Sequence, residues 1–280
     1  MQNKRHSIDP AFVQQQLALL EKLLPVDLKN AQKNAAMLNQ LQLTAMDYAA
    51  CLCLSEPNSE KLISILRLRV QAIVGIFSLA AATSASCEFA LGEGTVAIFP
   101  ASGPSSTAHS GSWTDGFFLS ALLRDLASLD FLCSVPQSVL KQSSTRSDTY
   151  SYLFVSTLQG FWRGSADTPQ RLEAALEATD PGKLKLVPAE LVLNIVVPAM
   201  ELLFHIMNED PTGFNPALAK ALSNHKSYWN KGKRRKDPRG FFPVAIAGLA
   251  AFAHDRGLDI RLDSEYLPQQ LITGSALSAG

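Results

Sequence analysis

The sequence predicts a mainly α protein, a single multi-helix domain of about eight to ten helices with one small β-hairpin. Three observations predict this fold. Most of the chain falls into segments whose apolar residues recur at helical spacing, and proline and glycine separate these segments. One long segment is apolar on every side, which is typical of a central helix. A single glycine-rich loop lies between two short β-friendly runs, the pattern of a hairpin.

In the N-terminal part of the chain, the sequence pattern predicts helices and no strands. Asp9 and Pro10 begin the first helix as N-cap and first helical residue. Pro25 is expected to end this helix, because proline has no amide hydrogen to donate to the preceding turn. A second helix is expected over residues 28–41, and Thr44 is a candidate cap for a short third one.

The next two elements are a long helix and the hairpin. The helix begins at Asn58 or Ser59 and runs to about Ser84, with a second half that is apolar all round. The hairpin is predicted within residues 87–99, where two short runs flank Gly92-Glu93-Gly94. Because a lone hairpin is only marginally stable, we expect it to pack on a helix.

After a loop over residues 100–112, a helix is predicted from 113 to 132. Further helices are predicted at 147–163, 168–178, 188–208, 214–229 and 240–256. Pro198 is expected to kink or divide its helix, and residues 259–262 resemble a strand. No repeat period and no internal boundary is evident, so one domain is expected over residues 1–280, with helices over 1–86.

Composition argues against several classes of function. The 25 Lys and Arg balance 25 Asp and Glu, whereas a general nucleic-acid binder carries a basic excess. Cys51, Cys53, Cys87 and Cys133 lack the spacing of a zinc or redox pair and are typical of free thiols in a reduced cytosol. No signal peptide is visible, and the longest apolar run is well short of the ~20 residues of a membrane helix. We therefore expect a cytoplasmic protein without cofactor, metal or membrane association.

Arg124 and Asp125 are the first candidate site residues. A guanidinium beside a carboxylate is a good anchor for a partner, because it binds a second carboxylate through two parallel hydrogen bonds. The alternative is an intramolecular ion pair that fixes neighbouring helices. The sequence leaves both interpretations open.

A polar and aromatic cluster at a helix end supplies the next candidates, His225, Lys226, Tyr228 and Trp229. Tyr and Trp are enriched at binding hot spots, but large aromatic residues also anchor helix ends. Catalysis would require a carboxylate and a nucleophile within reach of His225. No neighbouring Ser, Cys or Asp has that context, so a hydrolase or transferase hypothesis rests only on His225, His254 and scattered acids.

A dense basic run follows the cluster. It consists of Lys231, Lys233, Arg234, Arg235 and Lys236. Such a run contacts nucleic acid or an acidic partner, or forms a solvated flexible loop. The stacking aromatics that single-strand binders intersperse among such charges are missing here.

Several short patches in order resemble the immunity 49 family of bacterial polymorphic-toxin immunity proteins. The patches are Phe99 to Pro104, Trp113, Leu122 to Asp125, Leu132 to Pro136, Phe214 to Leu218, His225 to Trp229, and Asp263 to Pro268 with Glu265 and Tyr266. No single patch is diagnostic, and the ordered set carries the resemblance. It is strongest over about residues 95 to 272, and it makes residues 113–272 a family-like helical core.

The resemblance implies a function by binding. Members of such a family are made in the toxin-producing cell and block one cognate secreted toxin by occluding it, without catalysis. Partner contacts are then expected among the aromatic and charged residues of the patches, and the basic run is a candidate specificity loop. The alternative is a helical protein–protein interaction module with an unrelated cellular partner.

Overall fold

The computed structural model of the chain describes residues 4–277. These residues are 68% helical, with twelve α-helices and one two-stranded antiparallel hairpin, so the mainly α fold is confirmed. The chain divides into two compact units. The N-terminal unit is Asp9–Arg146, and the C-terminal unit comprises, among the described residues, 4–8 and 147–277. The extent of one domain over residues 1–280 stays a prediction.

The N-terminal unit contains six helices and the hairpin. Its elements are α1 (Pro10–Ala31), α2 (Leu38–Ser55), α3 (Glu60–Ala81), β1 (Ser86–Ala90), β2 (Val96–Pro100), α4 (Ser110–Leu123), α5 (Leu126–Ser134) and α6 (Gln137–Gln142). Asp9 caps α1 as predicted, because its side chain accepts a hydrogen bond from the amide of Ala11.

The predicted bounds of the first helices are wrong, and the helix expected over residues 28–41 is divided between α1 and α2. Helix α1 continues through Pro25 to Ala31, and Thr44 lies inside α2 and caps nothing. The Thr44 hydroxyl donates to Asp27 Oδ2 at 2.6 Å. This buried bond and the packing of α1 on α2 hold the last turns of α1 in helical form despite the proline, so tertiary contact overrides the local signal.

Helix α3 is the centre of the N-terminal unit, as its apolar composition predicts. It packs against α2, α4, α5 and β1. The hairpin lies on α3 at Gly75, where a Cβ atom would be only 2.4 Å from the Phe89 ring, so a larger residue there would displace the strand. Phe89 pairs with Ala97 across the two strands.

The C-terminal unit contains the other six helices. They are α7 (Thr149–Arg163), α8 (Thr168–Glu177), α9 (Ala189–Met207), α10 (Pro211–Trp229), α11 (Val244–Asp255) and α12 (Gln269–Ile272). Pro198 does not end α9. A π-helical turn, Val192–Val196, precedes the proline, and the helix continues to Met207. Such a turn accommodates the backbone hydrogen bond that proline cannot donate.

The strand predicted at residues 259–262 is not formed, because within residues 4–277 no second strand pairs with this segment. Its backbone is instead bound by one side chain of α10. Asn215 donates through Nδ2 to the Asp259 carbonyl at 2.8 Å and accepts from the Arg261 amide at 2.9 Å. The amide side chain thus replaces a neighbouring strand.

Helices α3 and α9 are long and apolar enough to cross a membrane by length and composition alone. The core helix of a soluble protein passes the same test. In α3, 67% of the apolar window is buried in the protein, against 39% in α9. Two apolar side chains of α9, Leu193 and Phe204, are exposed.

Candidate partner-binding surface

The C-terminal end of α10 positions most of the residues predicted from the second half of the sequence. Asp210 fixes the start of the helix, because its side chain accepts from the amides of Thr212 and Gly213. His225 and Trp229 are one helical turn apart and therefore share a face, and both are buried.

His225 is neutral and bound to backbone. Its Nε2 lies 2.9 Å from the Gly240 carbonyl oxygen, and because a carbonyl only accepts, Nε2 carries the hydrogen. Burial lowers the His225 pKa to about 4. The Tyr266 ring packs edge-on against the imidazole, with centroids 5.1 Å apart. Since the Nε2 hydrogen is held by a carbonyl, this arrangement is that of a structural histidine.

Tyr266 joins the extreme N-terminal segment to this cluster. Its side chain is fully buried, and its hydroxyl accepts from the His6 amide at 3.1 Å and lies 2.7 Å from His6 Nδ1. Arg5 donates through its backbone amide to Glu265 Oε2 at 3.0 Å and through Nη1 to the Phe241 carbonyl at 2.9 Å. Sequence reasoning missed Arg5 and His6, because residues about 260 positions apart leave no local signal of their contact.

The aromatic rings of Tyr228 and Trp229 stack against the guanidinium groups of two arginines. The guanidinium carbon of Arg234 lies 4.0 Å from the Tyr228 ring centroid, and that of Arg239 lies 5.6 Å from the Trp229 ring centroid. Gly240 passes under the indole so closely that a Cβ there would be 2.6 Å from Trp229 Cγ. Both aromatic side chains are buried, so they stack arginines and do not themselves face a partner.

The basic run is folded and is attached to α9. It forms a 3-10 turn over Gly232–Lys236. Glu190 accepts from Arg234 Nη1 at 3.0 Å and from Lys231 Nζ at 2.7 Å, and these bonds lower the pKa of Glu190 to about 2. The run is therefore an ordered turn attached to α9, and its contact with a partner stays a prediction.

Three cations of the turn face solvent, and Lys226 reaches the N-terminal segment. Lys233, Arg235 and Lys236 are exposed, and Arg235 donates through Nη2 to the Asn230 carbonyl at 3.4 Å. Lys226 Nζ donates to the Lys4 carbonyl at 2.8 Å. The exposed charges therefore lie around the end of α10, above the buried aromatic residues.

Trp113 belongs to the N-terminal unit and is fully buried. Its indole Nε1 donates to the Leu132 carbonyl at 2.8 Å, and its ring stacks on Phe117 with centroids 5.3 Å apart. A side chain without exposed surface cannot reach a partner, so Trp113 acts in the core.

Arg124 and Asp125 form a corner where one helix was predicted from residue 113 to 132. Arg124 adopts a left-handed conformation (φ 55°) that ends α4. Asp125 begins α5, because it accepts from the Ser128 amide at 3.0 Å and from the Ser128 hydroxyl at 2.6 Å. Arg124 Nη1 donates to the Leu122 carbonyl at 2.8 Å. Both side chains bond to the chain at this corner.

No metal site is found in the described part of the chain, where no three His, Cys, Asp or Glu side chains converge. His254 Nδ1 lies 3.4 Å from Asp255 Oδ1 at an exposed position. Cys51 is buried, and burial raises the pKa of its thiol to about 12. That thiol is therefore protonated at neutral pH.

A family model described as Immunity protein 49 matches residues 56–271 of the chain. The match includes α3, the hairpin, every helix from α4 to α11 and the basic run, and it leaves the N-terminal segment around Arg5 and His6 outside. No curated protein and no solved structure matches the chain.

Proposed function

Because the chain belongs to the Immunity protein 49 family, we propose that it binds a cognate secreted bacterial toxin and neutralises it by occlusion in a stoichiometric complex. The single observation that carries this proposal is the family match, which spans more than half of the chain. The predicted resemblance rests on residues within the same range.

The C-terminal unit supports a binding function with a preformed surface. Arg234 is held between Tyr228 and Glu190 before any partner arrives. Side chains that are already ordered lose less conformational entropy on binding, which favours affinity. A surface of ~1,600 Å² in total is typical of such complexes.

The predicted site residues take two roles in this proposal. Lys226, Glu265 and the basic run are candidates for direct contact with the toxin. His225, Tyr228, Trp229 and Tyr266 support that surface from beneath, while Trp113, Arg124 and Asp125 stabilise the N-terminal unit.

We propose inhibition without catalysis and without a cofactor, in the cytoplasm of the toxin-producing cell. His225 is the strongest candidate for a catalytic base from the sequence, and its neutral ring is bound to the Gly240 carbonyl. Covering the toxin requires no bond to be made or broken.

Co-expression with the toxin encoded by the neighbouring gene tests this proposal. We expect the bacteria to survive, and gel filtration of the purified pair to give one complex of equal stoichiometry. A Trp113→Ala variant, which is expected to be destabilised, is the control. It should protect the bacteria less, because protection requires the folded protein. Continued killing by the toxin, together with a folded protein that forms no complex, would contradict the proposal and favour an unrelated cellular partner.

A further inference from the structure

The chain is neutral overall, yet its cations are concentrated around the end of α10. Residues 225–240 carry seven Lys and Arg and one Asp, and the segment 4–8 adds two more cations. We call the following nine residues the basic surface: Lys4, Arg5, Lys226, Lys231, Lys233, Arg234, Arg235, Lys236 and Arg239. Glu190, Asp237 and Glu265 contact members of this set.

Contacts within the C-terminal unit join the two sequence segments into one surface. Lys226 Nζ bonds to the Lys4 carbonyl. Burial lowers the pKa of His6, and the nearby charges of Arg5, Arg235 and Lys226 lower it further. These three cations, from three parts of the chain, therefore lie near a single imidazole.

Two arginines of the basic surface are held by neighbouring side chains, and other cations project into solvent. Arg234 is fixed by Tyr228 and Glu190, and Arg239 stacks on Trp229 while pairing with Asp237 at 2.5 Å. Lys233 and Arg235 project from the turn and are exposed. A set of cations that includes held and exposed charges suits recognition of a surface of opposite charge.

We propose that the basic surface binds an acidic surface of the toxin, one that presents several Asp and Glu side chains together. This inference rests on the proposed function and names the chemistry of its partner. Carboxylates fit the exposed ammonium groups of Lys233 and Lys236 and the exposed guanidinium of Arg235, whose planar N–H donors suit a carboxylate.

An acidic protein fits these observations better than a nucleic acid. Tyr228 and Trp229 are buried beneath arginines, so they offer no open ring face for stacking a base. The zero net charge of the whole chain lacks the basic excess that is typical of a general nucleic-acid binder.

The N-terminal segment extends the basic surface beyond the region that the family model matches. Lys4 and Arg5 lie outside residues 56–271, whereas the other seven cations lie inside. Because Lys226 Nζ bonds to the Lys4 carbonyl, the N-terminal segment adds charge to a surface that the family region already presents.

The test compares two variants that lose the same charge. In one, Lys233→Gln, Arg235→Gln and Lys236→Gln remove three cations of the basic surface. In the matched control, Lys183→Gln, Lys185→Gln and Lys220→Gln remove three exposed lysines elsewhere in the same unit. The association rate and Kd of the full chain with an inactivated toxin from the neighbouring gene are measured from low salt to about 1 M, where the Debye length is about 3 Å.

We expect the first variant to associate roughly tenfold more slowly at low salt than the wild type, with the difference vanishing at high salt. The control is expected to follow the wild type. If the wild type binds the toxin and the first variant matches it at every salt concentration, the basic surface is not the contact and the proposal of an acidic partner fails, while the proposed function stands.

If the wild type does not bind the toxin, the proposed function fails, and this inference fails with it. A third arm uses a DNA duplex and a transfer RNA as probes. Wild-type binding to either probe as tightly as to the toxin, lost in the first variant, would overturn the inference in favour of a nucleic acid.

Discussion

Two helix ends of this protein carry similar residues and use them differently. The corner between α4 and α5 brings Arg124 and Asp125 together in the N-terminal unit, and the end of α10 brings Arg234 and Glu190 together in the C-terminal unit. At the corner, both side chains bond to the chain within four residues. At the end of α10, the partners are 44 residues apart.

This difference distinguishes residues that stabilise the local fold from residues that position charges at the surface. Asp125 satisfies the first amides of the next helix, so its charge serves local structure. Glu190 holds Arg234 over Tyr228, so its charge fixes a cation at the surface. Residue type alone does not distinguish the two roles. The position of the hydrogen-bond partner does.

Replacement of Trp113 should cost the most stability. Trp113→Ala removes a fully buried indole and its bond to Leu132, so we expect the free energy of unfolding to fall by about 3–5 kcal/mol. Chemical denaturation measures the change. Trp113→Phe, which keeps a ring on Phe117, should lose less. A Trp113→Ala variant as stable as the wild type would mean that the indole is not a core anchor.

The second-largest loss of stability is expected in acid, through protonation of His225 at the end of α10. The His225 pKa is about 4 in the folded protein against 6.5 ordinarily, so the unfolded chain binds the proton more tightly. Stability is therefore lost as the pH falls from about 6.5 to about 4, by roughly 3 kcal/mol, and is unaffected above this interval.

The measurement is denaturation of wild type and His225→Gln across that pH range. The glutamine amide can still donate to Gly240, so the variant should lose less stability on acidification. His254→Gln, at a partly exposed histidine, is the control and should behave as wild type. Equal acid sensitivity in His225→Gln would refute the assignment to His225.

Removal of the α5 cap should have a moderate effect. Asp125→Ala leaves the Ser128 amide without its acceptor, and we expect a loss of about 1 kcal/mol. Asp125→Asn retains a capping oxygen and should recover most of it. Toxin binding should be unchanged in both variants, and a weakened complex with a folded Asp125→Asn would instead make this corner a contact site.

The smallest effect on stability is expected at Glu190. Glu190→Gln weakens two exposed ion pairs, which contribute little to stability in water. Amide hydrogen exchange within Gly232–Lys236 should nevertheless become faster, because the turn loses its attachment to α9. Glu201→Gln, which weakens the ion pair between Glu201 of α9 and Lys220 of α10, is the control. Unchanged exchange in Glu190→Gln would mean that the turn is held by other contacts.

Much of the fold and part of the candidate site follow from the sequence. The apolar segment of α3 predicts a central helix, and Gly92-Glu93-Gly94 predicts the hairpin, because burial and turn formation depend on neighbouring residues. The cluster at His225 and the basic run were likewise identified from residue types, and the ordered patches identified the family. The helix, the hairpin, the cluster and the basic run are each contiguous in the sequence, and the family resemblance depends only on the order of the patches along it.

Only the tertiary structure decided how distant residues satisfy one another. Thr44 bonds to Asp27 instead of capping a helix, and His6 is buried against Tyr266 from the other end of the chain. Tyr228 and Trp229 became supports for arginines. The physical reason is that a polar or aromatic side chain is stabilised by whichever group lies within reach in three dimensions, and the local sequence specifies its residue type but not that group.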